Sequence, residues 1–218
     1  MKKAFTLTEI IVTLSIIGII AALTIPAIMK GYRERVYSSQ LRKAVSTIEN
    51  SAKTAISDEH AESFFETTSG LREPDTSEGE EACSQGACYF LTNYFKNSKI
   101  GCGAGTCFAS GYKTPDGTNA GSHFGYCVLT VSGAAICMWN SPSAERSFLA
   151  IDINGTDAPN ITGVDAYVLE IGSDGSVKDW KNDPDQCNIE AEDDYEHIGK
   201  YAQGCLQKVM NNNWKVTE

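Results

Sequence analysis

Met1-Lys2-Lys3-Ala4-Phe5-Thr6-Leu7-Thr8-Glu9 opens the chain, and IIVTLSIIGIIAALTIPAIM follows it, twenty residues from Ile10 to Met29 without a charge. An α-helix of that length reaches about 30 Å, the thickness of the hydrocarbon core of a bilayer. A secretory signal has a longer charged region, a shorter apolar core and a small-residue cleavage site after it. Here the charged leader ends before the apolar run begins, and no Ala-x-Ala pattern follows the run. The helix is therefore expected to be retained as a membrane segment.

Glu9 is the unusual residue. A carboxylate carried to the bilayer centre costs about 2.5 to 3.5 kcal/mol, and ionisable groups inside a membrane segment usually have a partner. No basic residue follows until Lys30, which leaves Glu9 without a local partner on its helix. Cleavage after Ala4 would change this. The new α-amino group of Phe5 would place a positive charge one helical turn away, on the same chain or a neighbouring one. Glu9 would then set the axial register between packed helices.

These residues resemble the type IV pilin and type II secretion pseudopilin superfamily. The motif runs from about Lys2 to Tyr32: a short basic leader, a small residue at the cut, Phe, a Thr-Leu pair, Glu at the fifth mature position, and an apolar helix containing Gly18 and Pro26. Ala4 stands where the family usually has Gly, and Thr8 where it usually has an aliphatic residue. The resemblance implies that a prepilin peptidase cuts between Ala4 and Phe5 and methylates the Phe5 amine. Subunits would then leave the inner membrane through an assembly platform and stack by their helices into a filament. Phe5 and Glu9 would be the assembly residues. Gly18 and Pro26 would serve helix packing in the filament, although for either residue alone the simpler reading is favoured, a glycine that permits close packing in a membrane and a proline that only kinks the helix.

Charge divides the chain. Residues 1–57 hold eight Lys or Arg against three acids, and residues 58–218 hold ten against twenty-five. The positive-inside rule, comparing Lys2 and Lys3 with Lys30, Arg33 and Arg35, leans away from export of the C-terminal part. The leader motif and the cysteines argue for export and outweigh it. An acidic exported domain offers no basic face to nucleic acid, so none is expected as a partner.

Eight cysteines, Cys83, Cys88, Cys102, Cys107, Cys127, Cys137, Cys187 and Cys205, suggest disulfides in an oxidising compartment. Residues 123–139 read as two strands about a turn near Ser132-Gly133, which places Cys127 opposite Cys137 or nearly so. The first four either close two small loops or interlock, and Cys187 with Cys205 is left to close a C-terminal loop. A zinc site on the first four is the rival reading. Their spacing is at the wide end for structural zinc, and reducing conditions would be needed. No Cys-x-x-Cys is present to suggest a thioredoxin-like centre.

Four segments follow: a leader at 1–4, a membrane or filament-core helix at 5–29, its amphipathic continuation at 30–57, and an exported head at 58–218. Val36, Leu41, Ala44, Val45, Ile48, Ala52, Ala55 and Ile56 recur at threes and fours and carry the helix to about Ser57. Residues 58–82 are expected to be an exposed acidic connection. Strands are expected at 147–153, 166–171 and 176–180, and a terminal helix across 190–213. The fold class is α+β, with the helix covering one face of an antiparallel sheet, which is also the pilin architecture.

Chemistry beyond assembly is sparse. Asp152, Asn154, Asp157 and Asp165 offer oxygen ligands of the kind calcium prefers, and some pseudopilins resemble this in holding calcium in a late loop. The twelve-residue loop with its terminal Glu is missing, and Asn154-Gly155 is also a hairpin-turn pair. No cofactor is required. His60, His123 and His197 show no spacing that suggests a metal or a catalytic dyad, no Ser or Cys carries a nucleophile motif, and no enzymatic activity is expected. Three readings stand: a filament subunit embedded in membrane lipid before assembly, a membrane-tethered extracytoplasmic binding module that keeps its leader, and a tethered enzyme or zinc module on Cys83 to Cys107. The first accounts for most residues.

Overall fold

The computed structural model describes residues 6–72, 83–191 and 196–217. Ala4 and Phe5 lie outside them, as do the acidic stretch 73–82 and most of the acid-rich run at 190–196. Helix α1, Leu7–Asp58, is one unbroken element of 52 residues with Pro26 inside it. Its apolar first half is exposed, and none of its most hydrophobic 18-residue window is buried, so one helix near the N-terminus is long and apolar enough to span a membrane. The second half behaves differently. Tyr37, Leu41, Ala44, Val45, Ile48, Ala52 and Ala55 are buried, and their steps of three and four residues put them on one stripe.

That stripe packs on an antiparallel sheet. The chain continues through α2 (Gly86–Asn93), β1 (Asn97–Ile100), a small ribbon of β2 (Tyr112–Lys113) and β3 (Asn119–Gly121), then β4 (Tyr126–Thr130), β5 (Ala135–Ser141), β6 (Arg146–Asp152), β7 (Ala166–Ile171) and β8 (Val177–Asp179). The main sheet runs β1-β4-β5-β6-β7-β8. Because side chains alternate along a strand, β5 to β7 present two different faces. Ile136, Met138, Leu149, Ile151, Tyr167, Leu169 and Ile171 share the core with α1, Phe64 and Phe90. Ala135, Cys137, Ala150, Ala166 and Val168 point the other way, where Phe108, Tyr112, Ile198 and Tyr201 cover them. Small residues on that face let the 102–123 segment lie close to the strands.

The hairpin at 123–139, the strands near 147–153, 166–171 and 176–180, and the long helix stand where the sequence places them. Two expectations need correction. The 58–72 part of the connection is exposed only in part: its ends are exposed, but a short 3-10 turn, Phe64–Glu66, buries Phe64 and Phe65, and Phe64 meets Phe90 edge-on at 5.3 Å. Two adjacent phenylalanines outweigh the surrounding polar residues. The C-terminal helix is not continuous either. It is split into α3 (Gly199–Ala202) and α4 (Cys205–Asn211), because Gly204 takes φ +78° and sits so near the Asp183 carbonyl that a Cβ there would lie 1.9 Å from its oxygen. Glu190 does not start a helix but pairs with Lys200 at 2.7 Å. Beyond α4, Val216 is buried, and its N–H donates to Ser38 Oγ on α1 at 3.0 Å.

Ile48 has no exposed surface, whereas Ile16 is half exposed. Ile48→Ala is expected to cost the head about 2 to 5 kcal/mol, and Ile16→Ala to leave it unchanged. Urea unfolding of the detergent-solubilised chain, followed by near-UV circular dichroism, reads the difference; equal losses would contradict this packing.

Candidate functional site

The start of α1 is built around Glu9. Thr6, the residue preceding the helix, donates its backbone N–H and its hydroxyl to Glu9 Oε2 at 2.9 and 2.8 Å, and Glu9 N–H donates back to Thr6 Oγ1 at 3.3 Å. This is a capping box, which satisfies backbone donors that a helix start leaves unpaired. The expectation that Glu9 has no local partner on its helix is therefore wrong. The Thr6-x-x-Glu9 spacing carried the signal. Glu9 has a structural role within one chain, and being at the exposed start of an apolar helix it also faces whatever packs there. A Cβ built on Gly18 would meet nothing within 4 Å, so no part of the chain's own described structure fills that side of the helix.

The cysteines form four local disulfides: Cys83–Cys88, Cys102–Cys107, Cys127–Cys137 and Cys187–Cys205. The first four close two small loops rather than interlocking. Cys127 and Cys137 are direct partners in the β4–β5 register, with Cα atoms 4.0 Å apart. Their sulfurs are engaged in these bonds and offer no thiolate to zinc in this state. Cys187–Cys205 ties the start of α4 to the loop after β8. Asp179 reinforces that junction: its carboxylate is buried and accepts from the N–H groups of Lys181, Gly204, Leu206 and Gln207 at 2.7 to 3.2 Å. The sequence reading missed Asp179, since a carboxylate at a strand end gives no sign that the helix starting after Gly204, 25 residues later, will sit over it.

Of the four oxygen-bearing residues between β6 and β7, the structure brings together three. Asp152 and Asp165 are both fully buried. Asp152 accepts from Tyr112 Oη at 2.5 Å and from Asn154 N–H at 3.0 Å, and Asp165 accepts from the N–H groups of Asn160 and Ile161 at 2.8 and 2.7 Å. Asp157 is exposed and contributes only its carbonyl, which takes a hydrogen bond from Asn154 Nδ2. The Asn154-Gly155 pair does not form a hairpin turn, because residues 153–165 make a longer loop. Burial, together with the nearby Asp165 charge, pushes Asp152 up to about 8, and burial pushes Asp165 up to about 6. Near neutral pH the pair therefore holds about one proton. Asn154 Oδ1 and Asn160 Oδ1 are buried without a hydrogen-bond partner among the described residues.

An aromatic cluster is the other concave feature. Phe124, Gly125, Trp139, Phe148, Trp180 and His197 line a cavity of about 460 Å³. Trp139 stacks on Phe148 at 5.8 Å, Phe148 meets Trp180 at 4.5 Å, and Arg146 lies over Phe148. His197 accepts from the Gly199 N–H, and burial lowers its pKa. His123, also lowered by burial, is 3.4 Å from Ser122 Oγ. That hydroxyl is already directed to the Ala109 carbonyl at 2.8 Å.

No family model, characterised protein or solved structure matches the chain significantly. Function therefore rests on the residues and their geometry.

Asp152 keeps its proton in the folded chain to about pH 8, whereas an unfolded Asp releases it near 4. Between those values the folded state binds more protons, so this contribution is fully present below pH 4 and is lost as pH rises through 8. With chelator present, unfolding free energy should fall from pH 5 to pH 8, and Asp152→Asn should flatten the slope. A wild-type curve that rises over this window would contradict the buried-pair account.

Proposed function

We propose that this chain is a pilin-like or pseudopilin-like subunit. It is held in the inner membrane by α1, processed between Ala4 and Phe5 by a prepilin peptidase, and assembled through α1 into a pilus or secretion filament. The observation that carries the reading is the division of α1. One continuous helix has an apolar half that no described part of the chain covers, and a half whose stripe is buried under the sheet. A bilayer suits the first half before assembly, and the same half from neighbouring subunits suits it afterwards, since close-packed apolar helices exclude water as lipid does.

Glu9 fits both stages. Its capping bonds with Thr6 engage Oε2, and a carboxylate has capacity for more than one partner. A free amine at Phe5 would supply that partner, and an amine on an adjacent subunit would fix the axial step. The braced, acidic head is suited to an oxidising compartment outside the cytoplasm. The pilin fold is proposed on the same grounds: a long helix packed on an antiparallel sheet with a disulfide-closed C-terminal region.

The loop at 153–165 is also the place where a calcium ion would be held. Asp152, Asp165 and Asn154 Oδ1 would be its donors, and the support is two orphaned amide oxygens beside two buried carboxylates, although among the described residues no three acidic, His or Cys side chains gather there. Millimolar calcium would then replace the proton on Asp152 and remove the loss of stability toward pH 8.

The aromatic cavity favours a second reading, a tethered binding module that keeps its leader, because the head holds a lined apolar recess. Glu9→Leu separates the two. As a filament subunit the variant should still insert in the membrane, while recovery of sheared filaments falls on the order of tenfold or more, as expected when one partner of a buried charge pair is removed. Unchanged filament recovery would overturn the assembly role of Glu9.

A further inference from the structure

Directly after the apolar run, residues 30–43 carry Lys30, Arg33, Arg35, Arg42 and Lys43 against one acid, Glu34, in a chain whose net charge is −10. Part of this segment lines a groove of about 480 Å³ between α1 and the C-terminal tail, bounded by Gly31, Arg35, Ser38, Arg42, Trp214 and Lys215, with Glu34 beside them. The spacing 31, 35, 38, 42 is that of a single helix face. The tail is fixed across it by the Val216 N–H bond to Ser38 Oγ and by Arg42, whose guanidinium lies 5.5 Å from the centre of the Trp214 ring. Arg35, Arg42 and Lys215 are exposed, and among the described residues none of them forms an ion pair.

We infer that this groove is a binding site for the phosphate of an anionic membrane lipid, occupied while the chain resides in the bilayer. The inference rests on the membrane reading of α1 but not on cleavage or filament assembly. Position is the first reason. At 1.5 Å per residue, Arg35 stands about 9 Å beyond Met29, and a guanidinium that leans back from there reaches the headgroup layer, which adds roughly 5 to 7 Å to each side of the hydrocarbon core. Direction is the second. Helical side chains lean toward the N-terminus, so Arg35 leans back toward the bilayer and Lys215 approaches the same groove from the tail, while Arg42, about 20 Å beyond Met29, holds that tail through Trp214 and the Asn213 carbonyl at 3.5 Å. Charge is the third. Arg35 and Lys215 converge beside Arg42 where the rest of the exported part is strongly acidic, and basic residues beside a membrane each favour an anionic surface. Tyr32, well exposed, stands at the level where aromatic residues gather at membrane interfaces. A headgroup role also accounts for basic residues on the side of the membrane that the positive-inside rule disfavours.

Native mass spectrometry of the full chain, released from detergent micelles holding equal amounts of phosphatidylglycerol and phosphatidylcholine, tests this directly. Retention of one phosphatidylglycerol in preference to phosphatidylcholine is expected, with the preference falling about fivefold for each cation removed in Arg35→Ala, Lys215→Ala and the double variant. The circular dichroism melting curve of each variant should match that of the wild type, since Arg35 and Lys215 are both exposed. Equal retention of the two lipids would overturn the inference. Displacement of the lipid by millimolar inorganic phosphate would also overturn it, by showing a free-anion site, and so would a dimer that replaces the lipid adduct, by showing that a second copy covers the groove. A chain that neither requires detergent nor partitions with vesicles would overturn the membrane reading itself. Failure of processing or of filament assembly would leave this result standing.

Discussion

One backbone constraint organises the molecule: α1 is a single continuous helix whose two halves present different surfaces. From Leu7 to about Met29 its large apolar side chains are exposed on every side, and each one left in water forgoes about 1.5 to 3 kcal/mol relative to burial. From Tyr37 onward the same helix is half of a protein core. Because the two halves share one hydrogen-bonded rod, the height and rotation of the head are coupled to whatever surrounds the first half. The tail strengthens that coupling, since buried Val216 docks on the helix beside Ser38.

The head answers the demand with two unequal layers. Large residues of β5 to β7 face α1, and small ones face the segment that carries Phe108 and Tyr112. The second layer contains little regular structure, and disulfides stand at its critical points: Cys102–Cys107 within its loop, Cys127–Cys137 across the strands beneath it, and Cys187–Cys205 at the start of α4. Cross-links of this kind reduce the freedom of the unfolded chain and so stabilise a layer that has few backbone ladders of its own. The buried pair Asp152 and Asp165 holds the β6–β7 loop by accepting N–H groups that would otherwise be stranded.

Much of this was legible in the sequence where a period or a spacing imposed it. The apolar run and the threes and fours after it located α1, and the turn at Ser132-Gly133 paired Cys127 with Cys137. Elements set by long-range packing were not legible. Helix α2 was missed because eight residues are too few for a helical period to stand out, and β1 because its side chains are mostly exposed and polar. Phe64 and Phe65 were hidden in polar surroundings, and the break at Gly204 depends on the Asp183 carbonyl, which is distant in sequence. At the candidate sites, Thr6-x-x-Glu9 was readable as a capping box and was overlooked in favour of the charge question. The failure of Asp157 to join Asp152 and Asp165 was not readable, since it follows from the path of the loop. The aromatic recess could not be foreseen either, because Phe124, Trp139, Phe148, Trp180 and His197 meet only in the folded head.

The account turns on whether α1 begins life behind a leader and ends it in a filament. Intact-mass and N-terminal peptide analysis of the protein from its own membranes, without reducing agent, addresses this most directly. The account predicts a chain that begins at N-methyl-Phe5 and is eight hydrogens lighter than its reduced form, one for each cysteine. A mature chain that keeps Met1 to Ala4 would contradict it and would leave a tethered binding head as the better description of the molecule.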